Sequence, residues 1–279
     1  MSLGSVLSEV GLADSAEAIA RLRGAVDARG GIPTYIEHRV MDLLCGAAMS
    51  AVDTRMLRQY LRRLCGLETR FLTWEQREQH LAAGHFDTEL DMRTMTYSQG
   101  AGEPYQWRGR ACFKTLYELA LYPMILAELR PLSVIELGAG VGGSAGWLSD
   151  LCTAIDLPST IHAVDLQADD GCEGRIRTYR RDCIEWVGEM SAERDDFASP
   201  VLVIEDFHGD LHGTMAVLDG FLRPGDYLVI EDALPKQRDM AEALRGRPYL
   251  IDTRYTDFFG LNCTSAMNGI LKRIQPSDP

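Results

Sequence analysis

The chain has 279 residues, 46% of them hydrophobic and 25% charged, which is the balance of a folded globular protein with a real core. Its 41 acids outnumber its 28 bases, giving a formal net charge of −13, so a general nucleic-acid binder, which needs a basic footprint, is excluded as an expectation. No apolar run approaches the ~20 residues of a membrane-spanning helix.

The acidity is uneven. Residues 1–110 hold 14 acids and 13 bases; residues 111–279 hold 27 and 15. The opening stretch, MSLGSVLSEVGLADS, has no basic segment and carries Glu9 and Asp14, so no secretory signal is expected. The seven cysteines are widely spaced and form no CxxC. Reduced thiols in a cytoplasmic protein are the expectation.

In chain order, residues 1–110 read as a helical cap with a loop. Asp14 with Glu17 resembles a capping box, and Ala18, Ile19, Leu22 and Val26 follow at helical spacing until Gly30-Gly31. A second helix is expected from about Tyr35 to Met49. Asp53 is expected to cap a third, TRMLRQYLRRLC, ended by Gly66. A fourth is expected from Trp74 to Ala83. Residues 91–110 lack periodicity and read as a long loop, with Tyr97, Tyr105, Trp107 and Arg108 as candidates to cover a ligand or to pack the cap.

Residues 111–279 read as a second domain. FKTLYELALYPMILAELR is helical, with a kink expected at Pro123. Then short apolar runs at 132–137, 160–166, 201–206 and 227–232 alternate with stretches long enough for helices. That grammar implies a mostly parallel α/β sheet with right-handed crossovers. The runs at 249–256 and 268–274 are expected to pair as an antiparallel hairpin at the sheet edge.

The strongest motif is VIELGAGVGGS, residues 134–144. A strand ends near Glu136, Gly138, Gly140 and Gly142 follow, and a helix starts near Ser144. Glycines there allow a sharp turn and a close approach to a ligand; the alternative is an ordinary strand–helix turn. The run is not the G-x-G-x-x-G of nicotinamide binders, and Glu136 would repel a pyrophosphate while attracting an ammonium. Asp165, followed by Leu166, ends the next strand 23 residues after Gly142 and suits two ribose hydroxyls. Asp182-Cys183 lies after an expected third strand, where a loop would line an adenine. This set fits S-adenosyl-L-methionine (SAM) better than NAD.

Carboxylates also end two later strands: Glu205 and Asp206 in VIEDFH, and Glu231 and Asp232 in YLVIED, 26 residues later in each case. Four carboxylates converging at strand ends repel unless protonated or bridged by a cation such as Mg²⁺. The alternative is that they cap the following helices. His208 and His212 have an H-x-x-x-H spacing that permits a zinc site, but Gly209 in the first turn argues against it. His208 serves better as a general base or an orienter, with a structural histidine as the alternative. Lys114, one of three lysines, is a candidate ligand contact, as are Phe258-Phe259.

With YQWRG, ELALYPMILAELRPLSVIELGAGVGGSAGWLSDL, VIEDFH and LRPGDYLVIED, residues 105–275 resemble a class I SAM-dependent methyltransferase, and more narrowly the cephalosporin hydroxylase / rhamnosyl O-methyltransferase family. The resemblance implies a Rossmann-like sheet of seven strands, the last antiparallel. It implies a role in antibiotic biosynthesis and a metal held by Asp206, Glu231 and Asp232 to position an acceptor hydroxyl. Glu136, Gly138, Gly140, Gly142, Ser144, Asp165, Leu166, Asp182 and Cys183 would bind the cofactor; His208 and Asp206 would be catalytic. The expected function is metal-assisted O-methylation of a small secondary-metabolite intermediate by a homo-oligomer acting on neither nucleic acid nor membrane. A metal-independent N- or C-methyltransferase, a nicotinamide oxidoreductase and a non-catalytic SAM-binding protein stay open as alternatives.

Overall fold

A computed structural model describes residues 2–80, 88–207 and 209–276. The chain divides into two compact units, Met1–Thr69 and Arg70–Pro279, so the break falls well before residue 110. The reason is local: Phe71–Leu72 pairs with the main sheet, and Thr88 and Trp107 bond to residues of the second unit.

Unit 1 holds α1 (Leu3–Glu9), α2 (Ser15–Asp27), α3 (Tyr35–Leu44) and α4 (Ala51–Leu64). Asp14 caps α2 by accepting from the Glu17 backbone N–H at 2.9 Å. α3 stops at Leu44, before the expected Met49, because Gly46 turns the chain with a φ of +100°. Ser50, not Asp53, caps α4: its hydroxyl accepts from the Asp53 N–H while the Asp53 carboxylate accepts from the Ser50 N–H. Leu22, Leu43, Leu57 and Leu61 bury the apolar stripes of these helices in a core of their own.

Unit 2 begins with β1 (Phe71–Leu72), α5 (Trp74–His80) and α6 (Met92–Tyr97). The expected end of the fourth helix, at Ala83, lies outside the described residues. The expected loop at 91–110 is partly ordered: after α6, β2 (Gln106–Trp107) and β3 (Arg110–Ala111) form a hairpin. Arg108 and Gly109 make its turn with φ of 50° and 76°, as a two-residue hairpin turn demands. α7 (Leu116–Leu129) is capped by Thr115 and runs through Pro123 as one helix.

Then follow β4 (Ser133–Leu137), α8 (Gly143–Ala154), β5 (Thr160–Val164), β6 (Gly171–Glu173), β7 (Ile176–Tyr179), α9 (Cys183–Ala192), β8 (Val201–Glu205), α10 (Leu211–Phe221), β9 (Tyr227–Ile230), α11 (Ala233–Leu244), β10 (Tyr249–Asp252), α12 (Thr253–Thr256) and β11 (Ile270–Arg273). The sheet order is β1-β10-β11-β9-β8-β4-β5-β7-β6. Seven of the nine strands, β7 to β10 across the middle, carry the expected plan, with β11 antiparallel to both of its neighbours. The short strands β1 and β6 extend the two edges.

One expectation changes. β10 and β11 do pair antiparallel, but β11 inserts between β9 and β10, and β1 covers the outer side of β10. Ile270 and Leu271 are both buried, which suits an interior strand.

Strand alternation divides the core into two layers. Ile135, Val203 and Leu228 face one apolar cluster; Val134, Leu202, Ile204 and Val229 face the other, with Leu121, Ile125 and Leu126 of α7. The chain leaves β4 toward β5 on one side and later returns to β8 on the other. The crevice beyond β4 is therefore the switch point where open α/β sheets take ligands.

Candidate active site

The site grows from the ends of β4, β8 and β9. Beyond Leu137 the chain turns at Gly138, whose φ is +95° and where an added Cβ would lie 2.4 Å from the Asp206 carbonyl oxygen. Only glycine fits. Gly140 and Gly142 also hold positive φ, and Gly142 caps α8. At Gly143 a Cβ would lie 2.0 Å from the Ala111 carbonyl oxygen, so the β2–β3 hairpin presses directly on the turn. Trp107 and Arg108 secure the hairpin by donating to Asp150 of α8.

Under this turn lies Glu136, fully buried. Neither of its carboxylate oxygens has a hydrogen-bond partner among the described residues, although Lys114 Nζ stands 3.3 Å from Oε1 and Ser144 is adjacent. Burial pushes its pKa up against the pull of Lys114. A buried, unsatisfied acid beneath a glycine cradle fits a ligand that brings a cationic donor.

The other expected cofactor residues follow the ends of the neighbouring strands β5 and β7, and Asp165 touches the glycine turn itself. The Asp165 carboxylate accepts from the Gly140 N–H at 2.9 Å and from the Gln167 N–H at 2.7 Å. It braces the glycine turn and keeps lone pairs spare for a ligand. Leu166 beside it is exposed. Asp182 caps α9, accepting from Ile184 and Glu185 N–H groups through one oxygen. Cys183 is buried, its thiol 3.6 Å from the Val164 carbonyl and pushed up to about 12 by burial.

The strand-end acids do not all converge. Glu136 pairs in register with Ile204, and Ile204 with Val229. With a period of two, Glu136, Asp206 and Glu231 share the α7 face, while Glu205 follows Val203 toward the other. There it pairs with Lys236 at 2.8 Å.

Three acids on the α7 face meet one ammonium. Lys114 is almost wholly buried, with Nζ 2.7 Å from Asp206 Oδ2 and 2.7 Å from Glu231 Oε2. Burial alone would lower its pKa, but Asp206, Glu231 and Glu136 together outweigh that and hold it well above the ordinary lysine value. The other Glu231 oxygen accepts from the Tyr122 hydroxyl. Burial, then the neighbouring Asp206, raises Glu231 well above the carboxylate range.

This arrangement tests the expected metal site. Among the described residues no group of three or more His, Cys, Asp or Glu is placed to hold an ion. The physical reason is that Lys114 and Tyr122 take both oxygens of Glu231. Asp206 keeps one oxygen and partial exposure, and Asp232, at a φ of +46°, makes no cap bond to α11. Among the described residues, Asp206, Glu231 and Asp232 are not gathered as a three-acid set. His208 lies outside the described residues.

Tyr122 had no sequence signal, because a tyrosine in an apolar helical run reads as core. Lys114 had a weak one in the scarcity of lysine.

Sheet order, switch point and glycine cradle together define the fold of a SAM-dependent methyltransferase. Residues 99–250 match the rhamnosyl O-methyltransferase/CmcI family, and the chain belongs to that family. A rhamnosyl O-methyltransferase of Mycobacterium bovis (strain BCG / Pasteur 1173P2) is 26% identical over 192 residues, covering 60% of this chain and 77% of that protein. A solved structure of CmcI with SAH is 25% identical with a TM-score of 0.51, covering 75% of this chain and 95% of that one. A CmcI structure with Mg and SAM, at 24% identity and a TM-score of 0.51, shares the fold over 77% of this chain and 95% of its own.

Proposed function

We propose that this chain transfers the methyl group of SAM to a hydroxyl oxygen of a small secondary-metabolite acceptor, of the kind met in antibiotic biosynthesis. The observation that carries the reading is the fully buried Glu136 carboxylate beneath the glycine turn, neither of whose oxygens accepts a hydrogen bond among the described residues. It suits the ammonium of an amino-acid cofactor and is linked through Lys114 to Asp206. Family membership and the likeness to the SAH-bound CmcI structure support it.

The chemistry is an in-line displacement. The acceptor oxygen forms a bond to the methyl carbon, the carbon–sulfur bond breaks, and the sulfur keeps the electron pair as a thioether. The hydroxyl proton passes to a base; we assign that role to Asp206, whose partial exposure supports it, with His208 as the second candidate. Much of such a rate enhancement comes from holding the nucleophile in line at about 3 Å. Asp206 and Asp232 are the residues that would hold a divalent ion. Such an ion lowers the pKa of a bound hydroxyl and so favours the alkoxide.

Turnover is expected to fall in EDTA and to return with Mg²⁺. Full activity in chelator removes the metal from the proposal and favours the metal-independent reading that the Lys114 pairing already supports. Product analysis for O-methyl against N-methyl decides the acceptor atom.

Assembly as a homo-oligomer belongs to the same proposal. Ile32, Tyr35, Ile36 and Val52 of unit 1 are exposed apolar side chains available for it.

A further inference from the structure

The acid cluster already contains a cation. The three hydrogens of an ammonium can serve three acceptors, and Lys114 Nζ has three carboxylates around it: Glu136 at 3.3 Å, Asp206 at 2.7 Å and Glu231 at 2.7 Å. They come from the ends of three adjacent strands and share one face. Lys114 itself is 1% exposed. Burying an ammonium is costly unless its partners are fixed, and here they are fixed from several sides: Tyr122 holds the far oxygen of Glu231, and Thr115 starts α7 one residue after the lysine. Mutual repulsion among the three acids is therefore relieved by the chain itself.

We propose that Lys114 is the resident cation of this site, and that a divalent ion is a second, exchangeable cation whose affinity Lys114 lowers. Two effects act in that direction. The ammonium takes one oxygen each of Glu231 and Asp206 out of the ligand set, and Tyr122 takes the other Glu231 oxygen. It also places a positive charge bonded to the same Asp206 that an incoming ion would use. Repulsion between charges a few ångströms apart in a partly screened site weakens binding by about tenfold or more. Lys114 is then a positioning residue: it holds the acids in place before any ion or acceptor arrives, and keeps the ion exchangeable.

The inference rests on the methyltransferase reading only for what the site is used for. Its test is cation binding, read without turnover. Mn²⁺ is titrated by electron paramagnetic resonance into the full-length wild type, Lys114→Met and Lys114→Arg, all without SAM. The Met variant should bind Mn²⁺ at least about tenfold more tightly than wild type, and the Arg variant, which keeps the charge, should stay near wild type. The Met variant should also melt lower in metal-free buffer and recover when Mn²⁺ is added. If it does not accumulate in folded form without metal, Mn²⁺ throughout purification should rescue it.

Three results overturn the proposal: Mn²⁺ binding no tighter in Lys114→Met than in wild type, an Arg variant that behaves like the Met variant, or no rescue by Mn²⁺. A parallel SAM titration of the wild type separates the two levels. Failure to bind SAM counts against the methyltransferase reading and leaves the Mn²⁺ comparison to stand by itself.

Discussion

Gly138 shows how tightly single residues are constrained at this site. Its φ of +95° and the 2.4 Å approach of a Cβ to the Asp206 carbonyl leave no room for alanine. Gly138→Ala should cost about 2 kcal/mol in stability and abolish measurable SAM binding, because the turn proposed to hold the cofactor and the backbone that carries Asp206 move together. Calorimetry and a denaturant melt read the two effects separately. His162 makes a different kind of prediction. It stacks on Tyr179 and lies near Phe197; burial, and then Arg177, pull its imidazole down to about 4. An unfolded histidine titrates near 6.5, so between about 6.5 and 4 the unfolded chain binds a proton that the folded chain refuses. Stability should therefore fall by about 3 kcal/mol as pH falls through that window. His162→Phe should flatten that part of the stability–pH curve. An unchanged slope in the variant would assign the acid loss to other groups.

Among the elements, the β2–β3 hairpin is the one that the sequence concealed. An Arg108-Gly109 turn lacks the Asn-Gly or Asp-Gly signature of a two-residue hairpin, and strands of two residues show no alternation. Its importance lies in what it touches: Ala111 against the glycine turn, Trp107 and Arg108 on Asp150. Asp150→Ala should cost about 1–2 kcal/mol and weaken SAM binding from a distance, with the hairpin's amides exchanging faster than those of β4. Equal protection in both proteins would show that the hairpin holds by its other contacts. The long strands were legible for the converse reason. β4, β8 and β9 are buried on both faces, so their Val/Ile runs are unbroken, and the edge between strand and glycine turn is sharp. The acids at their ends were legible as a group, but their pairings were not. Period-two alternation separates Glu205 from Asp206, yet that Lys114 reaches Asp206 across 92 residues depends on how α7 lies on the sheet. No local pattern encodes that. The position of β11 is the same kind of fact: its pairing with β10 was readable, and its insertion beside β9 was not.

At the scale of the whole chain, the formal charge of −13 falls entirely in unit 2, because residues 1–69 hold 8 acids and 8 bases. Part of it is structural and site chemistry in unit 2, where Glu136, Asp206 and Glu231 surround Lys114 and Glu205 faces Lys236. Unit 1 has a separate core and an exposed Tyr35 with Ile32 and Ile36 beside it. If that patch serves self-assembly, light scattering should report a mass above the 31.0 kDa of one chain, and Tyr35→Ser with Ile32→Ser should reduce it. A monomer in both would remove the oligomer from the account. Among the described residues no helix is long and apolar enough to cross a membrane.

The central claim is that the turn from Glu136 to Ser144 binds SAM. Isothermal titration of the full-length protein with SAM, SAH and NAD, repeated on Glu136→Gln, tests it most directly. The account predicts saturable binding of SAM and SAH, none of NAD, and SAM binding weakened about tenfold in the variant, which loses one charge-assisted contact. Binding of NAD without SAM, or SAM affinity untouched by Glu136→Gln, would contradict it.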